Sequence, residues 1–291
     1  MELINTEKKN PKKLSFISIY FLGINGVIGS GAFLLPQVIY KDMNLASVLV
    51  LLCAAITVSM VALCYAGLSR SGAAWLYSYN AFGRFTGYEL GIFTWFLGCC
   101  TLSAEVVALL TTLRSFLPIF NTHWVYYVSV FGLILLFSII NFFGRTLVKL
   151  VDNLSSAAKM ITILAFIIIG VFCIHFANFS PVIPHAATTG AMPLTKHFGA
   201  AFSVVFYMFT GFSFIPIAAK QMTDPEKNIP RVLIAVMVSV TIMYSLMMLV
   251  AIGILGTGMS KYSTPIANAF GTGVGKWGYI LVIVGMLISI F

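Results

Sequence analysis

Long apolar runs separated by short polar interruptions set the rhythm of this chain. Cutting at the interruptions leaves apolar spans near 16–39, 45–68, 88–113, 124–143, 154–177, 198–219, 232–256 and 277–291. A helix needs about 20 apolar residues to cross a bilayer, so the pattern predicts seven full spans and a partial eighth, all α-helical. The connections are short, which makes residues 14–291 one membrane domain behind a basic segment at 1–13. The last run ends at Ile288-Ser289-Ile290-Phe291 without a polar tail. A truncated frame or a fragment is therefore expected. The link from Ser69 to Gly87 carries Trp75, Tyr77, Tyr79, Phe82 and Phe85, aromatics that suit an interfacial or re-entrant helix. The link from Asn178 to His197 holds Pro181, Pro184 and Pro193 and reads as irregular.

Two spans are interrupted from within. Gly26-Val27-Ile28-Gly29-Ser30-Gly31-Ala32-Phe33-Leu34-Leu35-Pro36 divides the first. Glycines and a serine at this density make continuous helix costly and unwinding cheap. Tyr207-Met208-Phe209-Thr210-Gly211-Phe212-Ser213 divides the sixth, with Pro216 one turn later removing a backbone donor. Hydrocarbon offers no hydrogen-bond partners, so unwound backbone at membrane depth is tolerated only where it lines a cavity or is buried in protein. Breaks at spans one and six are corresponding positions if five-helix units repeat with inverted topology, and paired breaks point to a transporter site at the midplane. A glycine-rich packing face is the competing reading of each.

Composition agrees with a lipid solvent. The chain is 60% hydrophobic and 9% charged, with a mean hydropathy of +1.01, against about 25% charged residues in a soluble domain. The net charge of +9 is topological and not a nucleic-acid footprint. With the amino end cytoplasmic, eleven basic residues fall inside: Lys8, Lys9, Lys12, Lys13, Arg70, Arg84, Arg145, Lys149, Lys220, Lys227 and Arg231. Five fall outside: Lys41, Arg114, Lys196, Lys261 and Lys276. That bias obeys the positive-inside rule. No signal peptide is evident, because the first run is too long and lacks a small-residue cleavage site. Cys53, Cys64, Cys99, Cys100 and Cys173 all sit in apolar spans. Their odd number and placement argue against a disulfide framework and for packing. His123, His175, His185 and His197 lie at outside ends or in the outside link, where solvated or interfacial roles fit better than metal binding. Gly87 and Gly91 form a small-residue pair of the helix-packing type. No phosphate loop, metalloprotease motif or nucleophile elbow is present, which argues against an enzyme.

At the two breaks the chain resembles the amino acid–polyamine–organocation permeases. Gly29-Ser30-Gly31-Ala32-Phe33 looks like that family's first-helix signature, and Leu34-Leu35-Pro36 is similar to its arginine/agmatine antiporter branch. Phe209-Thr210-Gly211-Phe212 looks like the sixth-helix break. Asp224-Pro225-Glu226-Lys227-Asn228-Ile229-Pro230-Arg231 resembles the loop after that helix. Ala62-Leu63-Cys64-Tyr65-Ala66 and Ser78-Tyr79-Asn80-Ala81-Phe82-Gly83 are similar to the second-helix region. The resemblance implies a leucine-transporter-type inverted-repeat fold with helices one and six broken, here with the second repeat incomplete. It also implies a secondary active transporter moving amino acids across the cytoplasmic membrane by alternating access, by proton-coupled symport or by exchange. A non-transporting amino acid sensor or an inactive fragment is the alternative. The implied partners are an amino acid, protons and the lipid bilayer; no cofactor is implied, and homo-oligomerisation stays open.

The candidate binding residues are Ile28, Gly29, Ser30 and Gly31 from the first break and Tyr207, Met208, Phe209, Thr210 and Gly211 from the second. Free N–H groups at Ser30 and Gly31, at the start of a half-helix, attract a carboxylate. Exposed carbonyls around Tyr207–Thr210 accept from an ammonium. Tyr207 sits where some relatives have a gating aromatic, with packing as the rival role. Lys159 is an intramembrane cation in Leu154-Ser155-Ser156-Ala157-Ala158-Lys159, expensive to bury and therefore a functional candidate. It matches a fifth-helix lysine that replaces a sodium ion in proton-coupled relatives; snorkelling to the interface is the rival. Glu105 is the second coupling candidate, suited to relaying protons, to answering a cationic substrate, or only to pairing with a hydroxyl. Glu89 and Asp152 read as interfacial and solvated. Where many relatives are acidic, this chain has Ser213 and Gln221, which favours a neutral over an arginine-type substrate.

Overall fold

The computed structural model describes residues 15–68, 74–142, 145–184, 193–217 and 224–290, and every regular element among them is helical. The chain opens with α1 (Phe16–Val27), α2 (Gly31–Leu34) and α3 (Pro36–Met43). Then come α4 (Ser47–Leu68), α5 (Ala74–Phe82), α6 (Arg84–Phe116), α7 (His123–Phe142) and α8 (Arg145–Gly170). The remainder is α9 (Leu194–Met208), α10 (Phe214–Ile217), α11 (Pro225–Leu255), α12 (Pro265–Val274) and α13 (Lys276–Ile290). The basic segment 1–13, Arg70, His185, Lys220, Gln221 and Phe291 lie outside the described residues, as do the side chains of Arg145, Lys149 and Asp152.

Among the described residues, five stretches are long and apolar enough to cross a membrane without a break: Pro36–Leu68, Arg84–Phe116, His123–Ile140, Leu154–Cys173 and Pro225–Lys261. The chain is a multi-pass membrane protein. The first and sixth apolar runs are missing from that set because each is divided, into α1 with α2–α3 and into α9 with α10. The patterning erred at residues 257–276, read as a plain connection. Residues 265–274 form α12, too short to register as a span but buried through Ile266, Ala267, Ala269 and Phe270, with Phe270 edge-on to Phe166 at 5.5 Å. The aromatic link is partly helical, as α5, and α5 packs along α6.

The core gathers α1, α4, α8, α9, α11 and α12. Because these helices are apolar all round, hydropathy does not choose the packed face; side-chain size does. On α4 the buried positions include Ala54, Ala55, Ala62 and Ala66, while Leu49, Leu52, Ile56 and Met60 face outward. The cysteine expectation is corrected: Cys53, Cys64, Cys99 and Cys100 are free thiols on exposed faces, small side chains that the packed face does not use, and Cys173 is partly packed. Of the predicted glycine pair, Gly87 is pressed against Tyr79 of α5, and Gly91 faces open space.

The outer ends are stitched by polar contacts. Asn178 Nδ2 donates to the carbonyls of Gly253 and Ile254 at 2.9 and 3.1 Å, and the His175 N–H donates to Gly253 O at 2.9 Å. These bonds satisfy orphan carbonyls at the end of α11. His197 is more than a solvated terminus, since its Nδ1 lies 3.2 Å from Asp42 Oδ1 and so joins α9 to α3.

Replacing the fully buried Ala54 by Leu should overpack the α4 core face and cost about 1–3 kcal/mol. Leu49→Ala, at a side chain 63% exposed, should change stability by less than about 0.5 kcal/mol. Thermal unfolding of the two variants in one detergent checks the contrast.

Candidate functional site

Helix α1 stops at Val27 because the next three residues decline the helical path. Ile28 is extended (φ −84, ψ 92), its N–H still reaching Ile24 O at 2.8 Å. The Gly29 N–H turns back to Val27 O at 3.1 Å, and helical bonding resumes with Phe33 and Leu34 donating to Ser30 O. Among the described residues the N–H groups of Ser30 and Gly31 have no hydrogen-bond partner. Pro36 then opens α3, where its missing donor does no harm.

The second break is tighter. Phe209 and Thr210 donate to Phe206 O and Tyr207 O at 3.2 and 3.0 Å, and the Thr210 hydroxyl adds a 2.6 Å bond to Tyr207 O. Gly211 follows at φ +110, a conformation that L side chains rarely adopt. A Cβ there would collide with the Gly26 carbonyl oxygen, so the two breaks touch backbone to backbone. A Cβ on Gly31 would likewise come to 3.8 Å from Met208 Cγ.

A third helix fastens the pair. Tyr244 of α11 is 1% exposed, and its hydroxyl lies 3.2 Å from Val27 O and 3.4 Å from Met208 O. Its ring stands 5.3 Å from that of Phe209. The Met208 carbonyl is thereby engaged by Tyr244 and the Tyr207 carbonyl by Thr210. The carbonyls of Phe209 and Thr210 have no partner among the described residues. The predicted set of acceptors thus narrows to the second half of the break.

Two ionisable side chains flank the first break. Lys159 is 4% exposed and does not snorkel; its Nζ donates to Asn25 Oδ1 at 2.6 Å and approaches Asn25 O at 3.4 Å. The ammonium therefore sits at the C-terminal end of α1, where a helix favours positive charge. Glu105 reaches the other end: Oε1 is so close to Gly29 that a Cβ there would lie 2.8 Å from it. Oε2 is buried without a hydrogen-bond partner among the described residues. Its hydroxyl-pairing role is thus absent on that oxygen.

The structure therefore gathers Gly29, Ser30, Gly31, Met208, Gly211 and Glu105, with Lys159 one turn away at Asn25. Ile28 and Phe209 contribute backbone only, since their side chains are wholly buried in the core. Tyr207 is 40% exposed. Asn25 and Tyr244 were missed by sequence reasoning. Each had a signal: Asn25 is an amide inside an apolar run, and Tyr244 is the only aromatic in a 31-residue helix.

The profile of the amino acid permease family matches residues 14–291. The chain belongs to that family. This permease is 29% identical to an uncharacterised transporter of Mycobacterium tuberculosis, over 96% of this chain and 63% of that one. It is 25% identical to cationic amino acid transporter 9 of Arabidopsis thaliana (94% and 51% covered). A branched-chain amino acid permease of Lactococcus lactis is 28% identical (85% and 56% covered). The chain thus spans between half and two-thirds of the length of these relatives.

Gly211→Ala should destabilise the permease by at least about 2 kcal/mol, from forced positive φ and the clash with Gly26. Gly91→Ala, facing open space, should leave the unfolding midpoint unchanged or slightly raised.

Proposed function

We propose that this permease is a secondary active transporter that binds an amino acid between its two helix breaks and moves it across the cytoplasmic membrane by alternating access, its amino end inside. The observation that carries the reading is the pairing of opposite backbone polarity in one place. Unpartnered N–H groups at Ser30 and Gly31 suit the substrate carboxylate, and unpartnered carbonyls at Phe209 and Thr210 suit its ammonium. In this reading spans one and six are corresponding members of two inverted five-helix units, the second incomplete over these residues. The relatives named for cationic and branched-chain amino acids favour an amino acid as substrate. Ser213, in place of an acid, favours a neutral one.

Glu105 and Lys159 supply the coupling. An ionised Glu105 beside Gly29 occupies the same positive helix end that the substrate carboxylate needs, and two carboxylates there repel. In this reading Glu105 and the substrate carboxylate compete for that helix end. Lys159, held on Asn25, senses the inner side; loss of its proton removes the charge that favours the C-terminal end of α1.

Counterflow of labelled L-leucine and L-arginine into proteoliposomes preloaded with the unlabelled compound tests the whole reading. Saturable exchange above that of empty liposomes supports it. Ligand binding without flux would make the protein a sensor or a non-transporting fragment. Glu105→Gln, which removes the carboxylate that competes for this helix end, should lower the half-saturation concentration for counterflow. Lys159→Met should retain counterflow yet lose at least about tenfold of the accumulation driven by a proton gradient. Undiminished accumulation would remove Lys159 from the mechanism.

A further inference from the structure

Helix α6 begins in an open groove of about 550 Å³, walled on its far side by Trp75 and Tyr79 of α5. Arg84, Tyr88, Ile92 and Trp95 recur at every third or fourth residue, so they stand on one face of α6. Two glycines make the space. Gly87 lets α5 close in, since a Cβ there would lie 2.6 Å from Tyr79 Cβ, and a Cβ on Gly91 would meet nothing within 4 Å.

The groove is charged at one end and apolar along its length. Among the described residues Arg84, the first of α6, is the only charged group in the lining, which Glu89 does not join. The guanidinium has no ion pair or hydrogen bond among those residues. Neither do the indole N–H groups of Trp75 and Trp95 or the hydroxyls of Tyr79 and Tyr88. Interfacial aromatics ordinarily form a belt at headgroup level; here four converge with a cation on one cavity. The eleven steps from Arg84 to Trp95 cover about 16 Å of helix, close to half of the roughly 30 Å hydrocarbon core. The matching occupant is rich in acceptors, anionic at one end and apolar for the depth of one leaflet. A soluble anion would leave the apolar length unused, and a peptide would bring backbone donors to a wall that itself donates.

We propose that this groove seats one anionic phospholipid, its phosphate on Arg84 and an acyl chain along Gly91, Ile92 and Trp95. The open side leaves the rest of the molecule in the bilayer. Native mass spectrometry of the chain in detergent with equal phosphatidylglycerol and phosphatidylcholine should show phosphatidylglycerol preferred as the first lipid retained. Arg84→Gln should lower that preference about fivefold, the worth of one basic residue near an anionic surface, and Arg84→Lys should keep most of it. Arg231→Gln, the same loss of charge at an exposed position of α11, should leave it unchanged. Gly91→Leu, which fills the floor, should weaken retention of both lipids without lowering the unfolding midpoint. Equal losses in Arg84→Gln and Arg231→Gln, or undiminished retention in Gly91→Leu, overturn the site. Absence of any preference in the wild-type chain overturns it too. Displacement of the lipid by glycerol phosphate would make it a site for a soluble phosphate and overturn the role of the acyl chain. A wild-type dimer that holds no lipid would assign the groove to a second copy of the chain and overturn the proposal.

Discussion

Unpaired backbone in a medium without water is the constraint on which the rest of this structure depends. Two of the apolar runs are broken from within, and each break strips partners from carbonyls and N–H groups that lipid cannot serve. The chain answers by setting the breaks against each other and against two side chains. Gly211 admits the Gly26 carbonyl, Tyr244 spans Val27 and Met208, and Lys159 engages Asn25. What remains unanswered among the described residues is a pair of N–H groups on one side and a pair of carbonyls on the other.

Holding that arrangement demands close helix approach around it. Gly23 faces Ile215 and Val236, with room for no Cβ; Gly170 lies against Val250, and Gly285 against Thr162. Small residues on inward faces let backbones approach where no hydrophobic force distinguishes protein from lipid. The large side chains turn outward, as on α4. Across the outer end, Asp42 and His197 tie α3 to α9, so the outer halves of both broken helices are linked at their tips as well as at their breaks.

The helical character and the positions of both breaks were legible because their causes are local: apolar run length, clustered glycines and a proline. Gly211 was visible as a breaker, but its close approach to Gly26 was not, since a contact spanning 185 residues of chain (from 26 to 211) leaves no local trace. Lys159 stood out by charge alone, and only the fold decides between burial and snorkelling. Tyr244 was hidden because a lone tyrosine in an apolar helix is equally consistent with core packing; its hydroxyl partners come from two other helices. The short helix α12 escaped because ten residues, Asn268 and Thr272 among them, are too few and too mixed to register as a span, and nothing local reveals that they are roofed by α8 and α13.

The first break is also polarised. Within the stretch from Asn25 to Gly29, α1 presents its C-terminal end to an ammonium, and the turn that leads into α2 presents Gly29 to a carboxylate. Both placements follow the sign that a helix end prefers, so each half-helix has its own side-chain support, Lys159 through Asn25 on one side and Glu105 beside Gly29 on the other. A continuous helix held by packing alone would have neither end to offer, because its interior N–H and C=O groups are spent on one another.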